Sequence, residues 1–195
     1  MTNYVNQLKK LAGEMGLKLQ GYDTKTFRGN YRKKFYLIER DDKNPIVYLF
    51  ADPGGNKIYS GLAIPLNLKY NLQLSISPEF LPGCLSLFRS NAKKRIKAGD
   101  RILDQKYAFV SDHPDIMLRI LNDEALKSVL LHQFPVELKL ESNPAYFDQT
   151  PFEGKSGLSL LFLDGWKIDK EILLDAKRIL LTACEYLLHR RFVNP

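Results

Sequence analysis

The chain has 195 residues, 45% hydrophobic and 26% charged, with a formal charge of +7. That length supports a sizeable core without disulfide or metal staples, and that composition excludes a disordered or membrane-embedded chain. Polar residues interrupt every apolar run near Met1, which leaves no signal-peptide segment, and the longest apolar stretch, Leu158 to Leu163, is far too short to span a bilayer.

Val5, Leu8, Leu11, Ala12 and Met15 recur at three- and four-residue steps, predicting an amphipathic helix that Gly16 closes. From Tyr31 to Arg40 aromatic or aliphatic residues alternate with basic ones, and Ile46 to Phe50 is a short apolar run. These read as strands joined by turn residues at 41–44. Asp52-Pro53-Gly54-Gly55-Asn56 then forms a second turn leading into a strand over Lys57–Ile64. Leu68 to Ser77 alternates strictly, as expected of an antiparallel strand with one buried face.

Residues 78 to 101 break the pattern with Pro78, Pro82 and Gly83 and then a basic run. A surface connection is expected there, and this is where a subdomain boundary would fall within a single domain spanning 1–195. Periodicity resumes in a strand over Gln105–Val110. Ser111-Asp112-His113-Pro114 follows as a helix cap, with Ile116, Met117, Ile120 and Leu121 as the apolar helix face. Asn122-Asp123-Glu124 opens another short helix. Val136, Leu138 and Leu140 mark a strand, and Gly157–Leu163 reads as a mostly apolar strand near the sheet centre. The stripe from Ile172 through Leu173, Ala176, Leu180 and Cys184 to Leu188 predicts a long closing helix across the buried sheet face. The expected fold is α+β: a mostly antiparallel sheet of about seven or eight strands, covered on one face by the C-terminal helix and shorter helices.

The residues from Gln105 through Ser111-Asp112-His113-Pro114 and Ile120-Leu121-Asn122 to Leu130-Leu131 resemble a strand, Ser-Asp, helix, Leu-Leu module of an uncharacterised bacterial domain family. The later strands and the terminal helix keep that family's order over the C-terminal half. The resemblance implies a domain of unknown function and transfers no site.

Chemistry-bearing motifs are sparse. His113, His132 and His189 fall in no metal-ligand spacing, so no metal and no cofactor is expected. Gly54-Gly55-Asn56-Lys57 lacks the remainder of a P-loop. Ser90-Asn91-Ala92-Lys93, Ser111-Asp112-His113 and Lys155-Ser156-Gly157 stand in the order of the three boxes of penicillin-binding proteins. Few apolar residues follow Ser90 to anchor a nucleophile helix, and His113 replaces the expected Asn. A serine acyl-enzyme is therefore the remote alternative. Cys84 and Cys184 make no disulfide framework, and a reducing cytoplasm is the expected setting.

The densest charge lies in Arg89, Lys93, Lys94, Arg95, Lys97 and Arg101, opposed only by Asp100. Two functions follow. The first is a non-catalytic intracellular interaction module with a protein partner, since no motif builds an active site. The alternative is a binder of an anionic surface, phospholipid or nucleic acid, through residues 89–101. Only Phe88 borders the run as a stacking platform.

Overall fold

A computed structural model of the chain describes residues 2–25, 31–40, 45–51, 59–68, 72–79, 95–132 and 136–189. The elements are α1 (Thr2–Glu14), β1 (Gln20–Lys25), β2 (Tyr31–Glu39), β3 (Ile46–Ala51), β4 (Ser60–Leu66), β5 (Leu74–Pro78) and β6 (Arg95–Ile96). They continue with α2 (Arg101–Lys106), β7 (Tyr107–Ser111), α3 (Pro114–Leu121), α4 (Glu124–His132), β8 (Val136–Glu141), β9 (Ser156–Phe162) and α5 (Lys170–His189).

Among the described residues nine strands form one sheet in the order β1-β2-β3-β4-β9-β8-β5-β7-β6, and every neighbouring pair is antiparallel. The α+β architecture therefore stands, with β9 at the centre of the sheet. β1 through β4 make the expected meander. β1 itself carries no apolar alternation in Gln20-Gly21-Tyr22-Asp23 and lies at the sheet edge, where a strand needs no buried pattern on both sides.

Alternation assigns each strand residue to one of two faces. Leu62, Ile64, Leu74, Ile76, Phe109, Leu138, Leu158 and Leu160 point to the inner face, where they are buried in the main core. α5 lies over β4 and β9 there, and α3 packs on both α5 and β7. Leu173, Ala176, Leu180, Cys184 and Leu187 supply the buried stripe of α5, which matches the predicted helix. Lys177 from α5 donates to Glu39 at 2.6 Å, and Tyr48 donates to the same carboxylate at 2.6 Å. That shared carboxylate ties the helix to β2 and β3. α1 is closed by Gly16 at φ +66, with Leu17 N–H reaching the Ala12 carbonyl at 2.8 Å, as the helix pattern predicts. Trp166 meets Tyr4 of α1, Phe35 and Phe50 edge to face at centroid distances of 5.4, 6.0 and 5.9 Å. No helix among the described residues is long and apolar enough to cross a membrane.

Three sequence expectations move. Of the strand expected over Leu68–Ser77, residues 69–71 lie outside the described residues and the regular strand runs from Leu74, and the turns at 41–44 and 52–56 also lie outside the described residues. Gln105 and Lys106 belong to α2, a short helix with Asp100 as its N-cap accepting from Ile102 N–H and Leu103 N–H; one buried residue, Leu103, is too little to show a period. The Ser111-Asp112 cap is the third. α3 does start with Pro114 in its first turn, but its N-cap His113 makes no side-chain cap bond. The Ser111 hydroxyl instead accepts from His113 N–H at 3.0 Å, and the Asp112 carboxylate turns away to Gln73.

The larger departure concerns coverage of the outer face. A segment rich in turn residues, 142–155, folds back onto it over β2, β3, β4 and β9, and builds a second core from Tyr36, Val47, Leu49, Ala63, Phe147 and Leu161. Its chain closes on itself through Phe147 N–H to the Pro144 carbonyl and Thr150 Oγ1 to the Phe147 carbonyl, at 2.9 and 2.7 Å. The approach is so close that a Cβ at Gly157 would lie 2.4 Å from the Tyr146 hydroxyl and 2.9 Å from Phe147.

Candidate functional site

The outer face divides between β9 and β8. On the covered half, the perturbed ionisable groups are explained by packing. Burial lowers the Lys34 pKa, partly offset by Asp148, and its ammonium donates to the Ala145 carbonyl at 2.8 Å. Burial pushes Tyr59 up to about 12, with the charges of Glu141 and Asp148 adding to the effect. Burial raises Tyr146 well above the ordinary phenol range; the Ser159 hydroxyl beside it offsets this only in part, and no bond in good geometry satisfies the Tyr146 hydroxyl. The space these residues leave is about 10 Å³, which admits no ligand. This half is a core.

On the open half, comprising β8, β5, β7 and β6, the outward positions described on β8, β5 and β6 carry polar chains bonded to one another, whereas β7 presents Ala108 and Val110. Arg95 of β6 meets Glu79 through both guanidinium nitrogens. Ser77 donates to Glu137 at 3.0 Å and lies 2.9 Å from the Ser75 hydroxyl. Lys139 pairs with Glu141 on its own strand. These residues alternate with buried Leu138, Leu140, Leu74 and Ile76, so the polarity of the face follows directly from strand period.

A cavity of about 290 Å³ opens at one end of this half. The register explains why it forms. β5 and β8 pair through Leu74↔Leu140, after which β8 continues along β9 through Glu141↔Gly157. The residues before Leu74 turn the other way: Gln73 N–H donates to the Asp112 carboxylate at 3.1 Å, and Asp112 N–H donates to the Gln73 carbonyl at 3.2 Å. Two neighbouring strands therefore diverge, and the notch between them is lined by Gln73, Ser75, Asp112, Lys139 and Ser142. Leu72, Leu74 and Leu140, whose side chains are buried in the main core, also border it. Sequence reasoning did not find this site. Asp112 had a sufficient local explanation as a helix cap, and only strand register brings it opposite Lys139.

Of the expected anion-binding residues, Arg89, Lys93 and Lys94 lie outside the described residues. Arg95 is half-buried and committed to Glu79, whereas Lys97 and Arg101 are exposed. Of the acyl-enzyme boxes, Ser90 and Lys93 lie outside the described residues, Ser111 is buried and bound to the His113 backbone, and Lys155 donates to Asn67 at 2.7 Å. Cys84 lies outside the described residues, and Cys184 is buried, its thiol pushed up to about 11 by burial and by Glu185. Among the described residues no three His, Cys, Asp or Glu side chains converge as metal ligands.

No family model matches the chain, and no curated protein matches it. Among solved structures, it is similar to the mycobacterial trehalose monomycolate transport factor A, with a TM-score of 0.51 and 11% identity over 97% of this chain and 96% of that one. At that identity the likeness establishes a shared fold over nearly the full length of both chains.

Proposed function

We propose that the chain is a non-catalytic cytoplasmic docking module, which binds a protein partner on the open half of its outer sheet face. The carrying observation is the charge arrangement there. Among the described residues, Arg95 and Lys139 face Glu79, Glu137 and Glu141, with Asp112 beyond them, two cations against four carboxylates, on a chain whose overall charge is +7. The face therefore runs against the sign of the molecule, and it suits a partner that presents basic side chains to it. Its groups are bonded to one another rather than organised as a nucleophile with a base. The fold likeness is compatible with the same reading, since the mycobacterial protein is named as a transport factor.

Photo-crosslinking in cells tests this. A photoreactive residue at Ser77 or Glu137 should give one discrete adduct of constant mass, and the same residue at exposed Leu118 of α3 should not. Charge reversal at Glu137 and Glu79 should abolish the adduct. Equal labelling from the sheet face and from α3 would overturn the reading.

Lys97 and Arg101, both exposed, favour anionic-surface binding as the second reading. Retention on anionic vesicles that falls steeply with salt and disappears in a Lys97→Glu, Arg101→Glu variant would support it instead.

A further inference from the structure

We infer that the partner docks as an amphipathic α-helix lying along β5 and β7, with basic side chains on its β8 flank and acidic ones on its β6 flank. The inference rests on the docking reading and deepens it, by naming the element that fills the open face. Strand register carries it. Ser77 of β5 stands beside Ala108 of β7, and the β5–β8 register, continued by one residue, sets Ser77 beside Glu137, whose carboxylate accepts from it at 3.0 Å. The β6–β7 register, continued in the same way, sets Lys97 beside Ala108. Ile96 and Ala98 pack on the main core, so alternation turns Lys97 to the outer face, at its rim. One row across the face therefore reads Glu137, Ser77, Ala108, Lys97.

The ends of that row carry unbalanced charge. Arg95 pairs with Glu79 and Lys139 with Glu141, so those four charges cancel in place. Among the described residues, Glu137 meets a neutral hydroxyl and no cation, and exposed Lys97 meets no carboxylate. Even with Lys97 counted the face holds more carboxylates than cations, but its two unpaired signs stand on opposite rims. Between the rims the outward side chains are short: Ser75, Ser77, Ala108 and Val110. The serine hydroxyls lie 2.9 Å apart and Ser77 donates to Glu137, so their polar groups are satisfied and little desolvation opposes an apolar stripe. The Arg95–Glu79 pair runs from opposite Val110 to the end of β5, a line that crosses Ala108 and accounts for its 4% exposure. Three strand spacings separate the rims, about 14 Å, and a helix with its side chains measures about 10–12 Å across. A single extended segment fills only about a third of that width. Along the strands, the five residues of β5 run for about 17 Å, or roughly three helical turns.

The test uses the isolated full-length chain and designed peptides of about 15 residues that share one stripe of alanine and leucine. The first peptide has lysines on one flank of the stripe and glutamates on the other. The second alternates the two charges along both flanks, and the third is the first with prolines in its interior, which break the helix. With backbone amide shifts as the readout, the first should move the amides of Ser75, Ser77 and Val110 saturably and bind about tenfold tighter than the others. Glu137→Lys alone and Lys97→Glu alone should each weaken it by about tenfold, since an attraction becomes a repulsion. The two changes together should restore it, because a helix turned end for end presents its flanks to the exchanged rims, and that recovery is also the control for folding. Equal binding of the proline peptide would put an extended segment on the face, and amides of Ser77 and Val110 that shift on dilution of the chain alone would put a second copy there. Either result would overturn the inference, as would equal binding of the alternated peptide, no saturable shift with the first, or a double variant no better than the single ones. The docking reading fails separately, through loss of the cross-linked adduct; an adduct that persists without peptide binding keeps the partner and removes the helix.

Discussion

The two halves of the outer sheet face follow the same strand period yet meet different fates. Where Tyr36, Val47, Leu49, Ala63 and Leu161 point outward, the chain has to bring a cover, and residues 142–155 supply it. Where Ser75, Ser77, Glu137 and Lys139 point outward, no apolar surface demands covering, and the side chains bond laterally. The main core under the helices makes the sheet; the outer residues decide which part of that sheet remains available to another molecule. Burial of apolar groups is worth roughly 25 cal/mol per Å², whereas exposed ion pairs contribute about 0–1 kcal/mol each. Stability is therefore concentrated in the covered half, and the open half is free to vary with its partner.

The largest effect that could break this contrast is at Phe147, which is fully buried in the second core. Phe147→Ala should cost about 3–5 kcal/mol by chemical denaturation. A loss below about 1 kcal/mol would mean that the 142–155 segment only rests on the sheet. Next comes Gly157→Val, which forces the Tyr146 and Phe147 rings off the strand and should cost roughly 1–3 kcal/mol. Limited proteolysis should then cut within 142–155 while the helical face stays protected.

A smaller effect sharpens the comparison through pH. Tyr59 is held neutral, with its pKa raised to about 12 against about 10 in an unfolded chain. Its contribution is complete below about pH 10 and is lost as the pH rises through about 12, because the unfolded chain releases its proton first. Alkaline melts should thus steepen over that window, and Tyr59→Phe should flatten them. An unchanged slope would place Tyr59 in contact with solvent.

Much of the inner face is legible in the sequence. The α5 stripe, the α3 face at Ile116, Met117, Ile120 and Leu121, and the alternation of Val136, Leu138 and Leu140 each expose one period to one core. The outer cover was not legible, because Tyr146, Phe147 and Phe152 sit among turn residues with no period at all. Their burial depends on a small residue, Gly157, that lies on a strand ten positions after Phe147. The notch was hidden for a related reason. Gln73, Asp112 and Lys139 are far apart in the chain, and each is ordinary where it stands; only the β5–β8 and β5–β7 registers bring them together. The basic run at 89–101 shows the opposite case. Its charge density drew attention in the sequence, yet Arg95 is engaged by Glu79, a residue sixteen positions earlier.

The central claim is that the open half is maintained for binding and not for folding. It is tested most directly by the melting temperature of one variant in which Ser77, Glu137, Lys139 and Glu141 are all changed to Ala, measured beside Phe147→Ala. The four changes together should lower stability by no more than about 1–2 kcal/mol, since they remove exposed or half-exposed pairs. The single Phe147→Ala change should cost more than all four. If the quadruple variant melts as low as Phe147→Ala or lower, the polar lattice is structural and the division of the face fails.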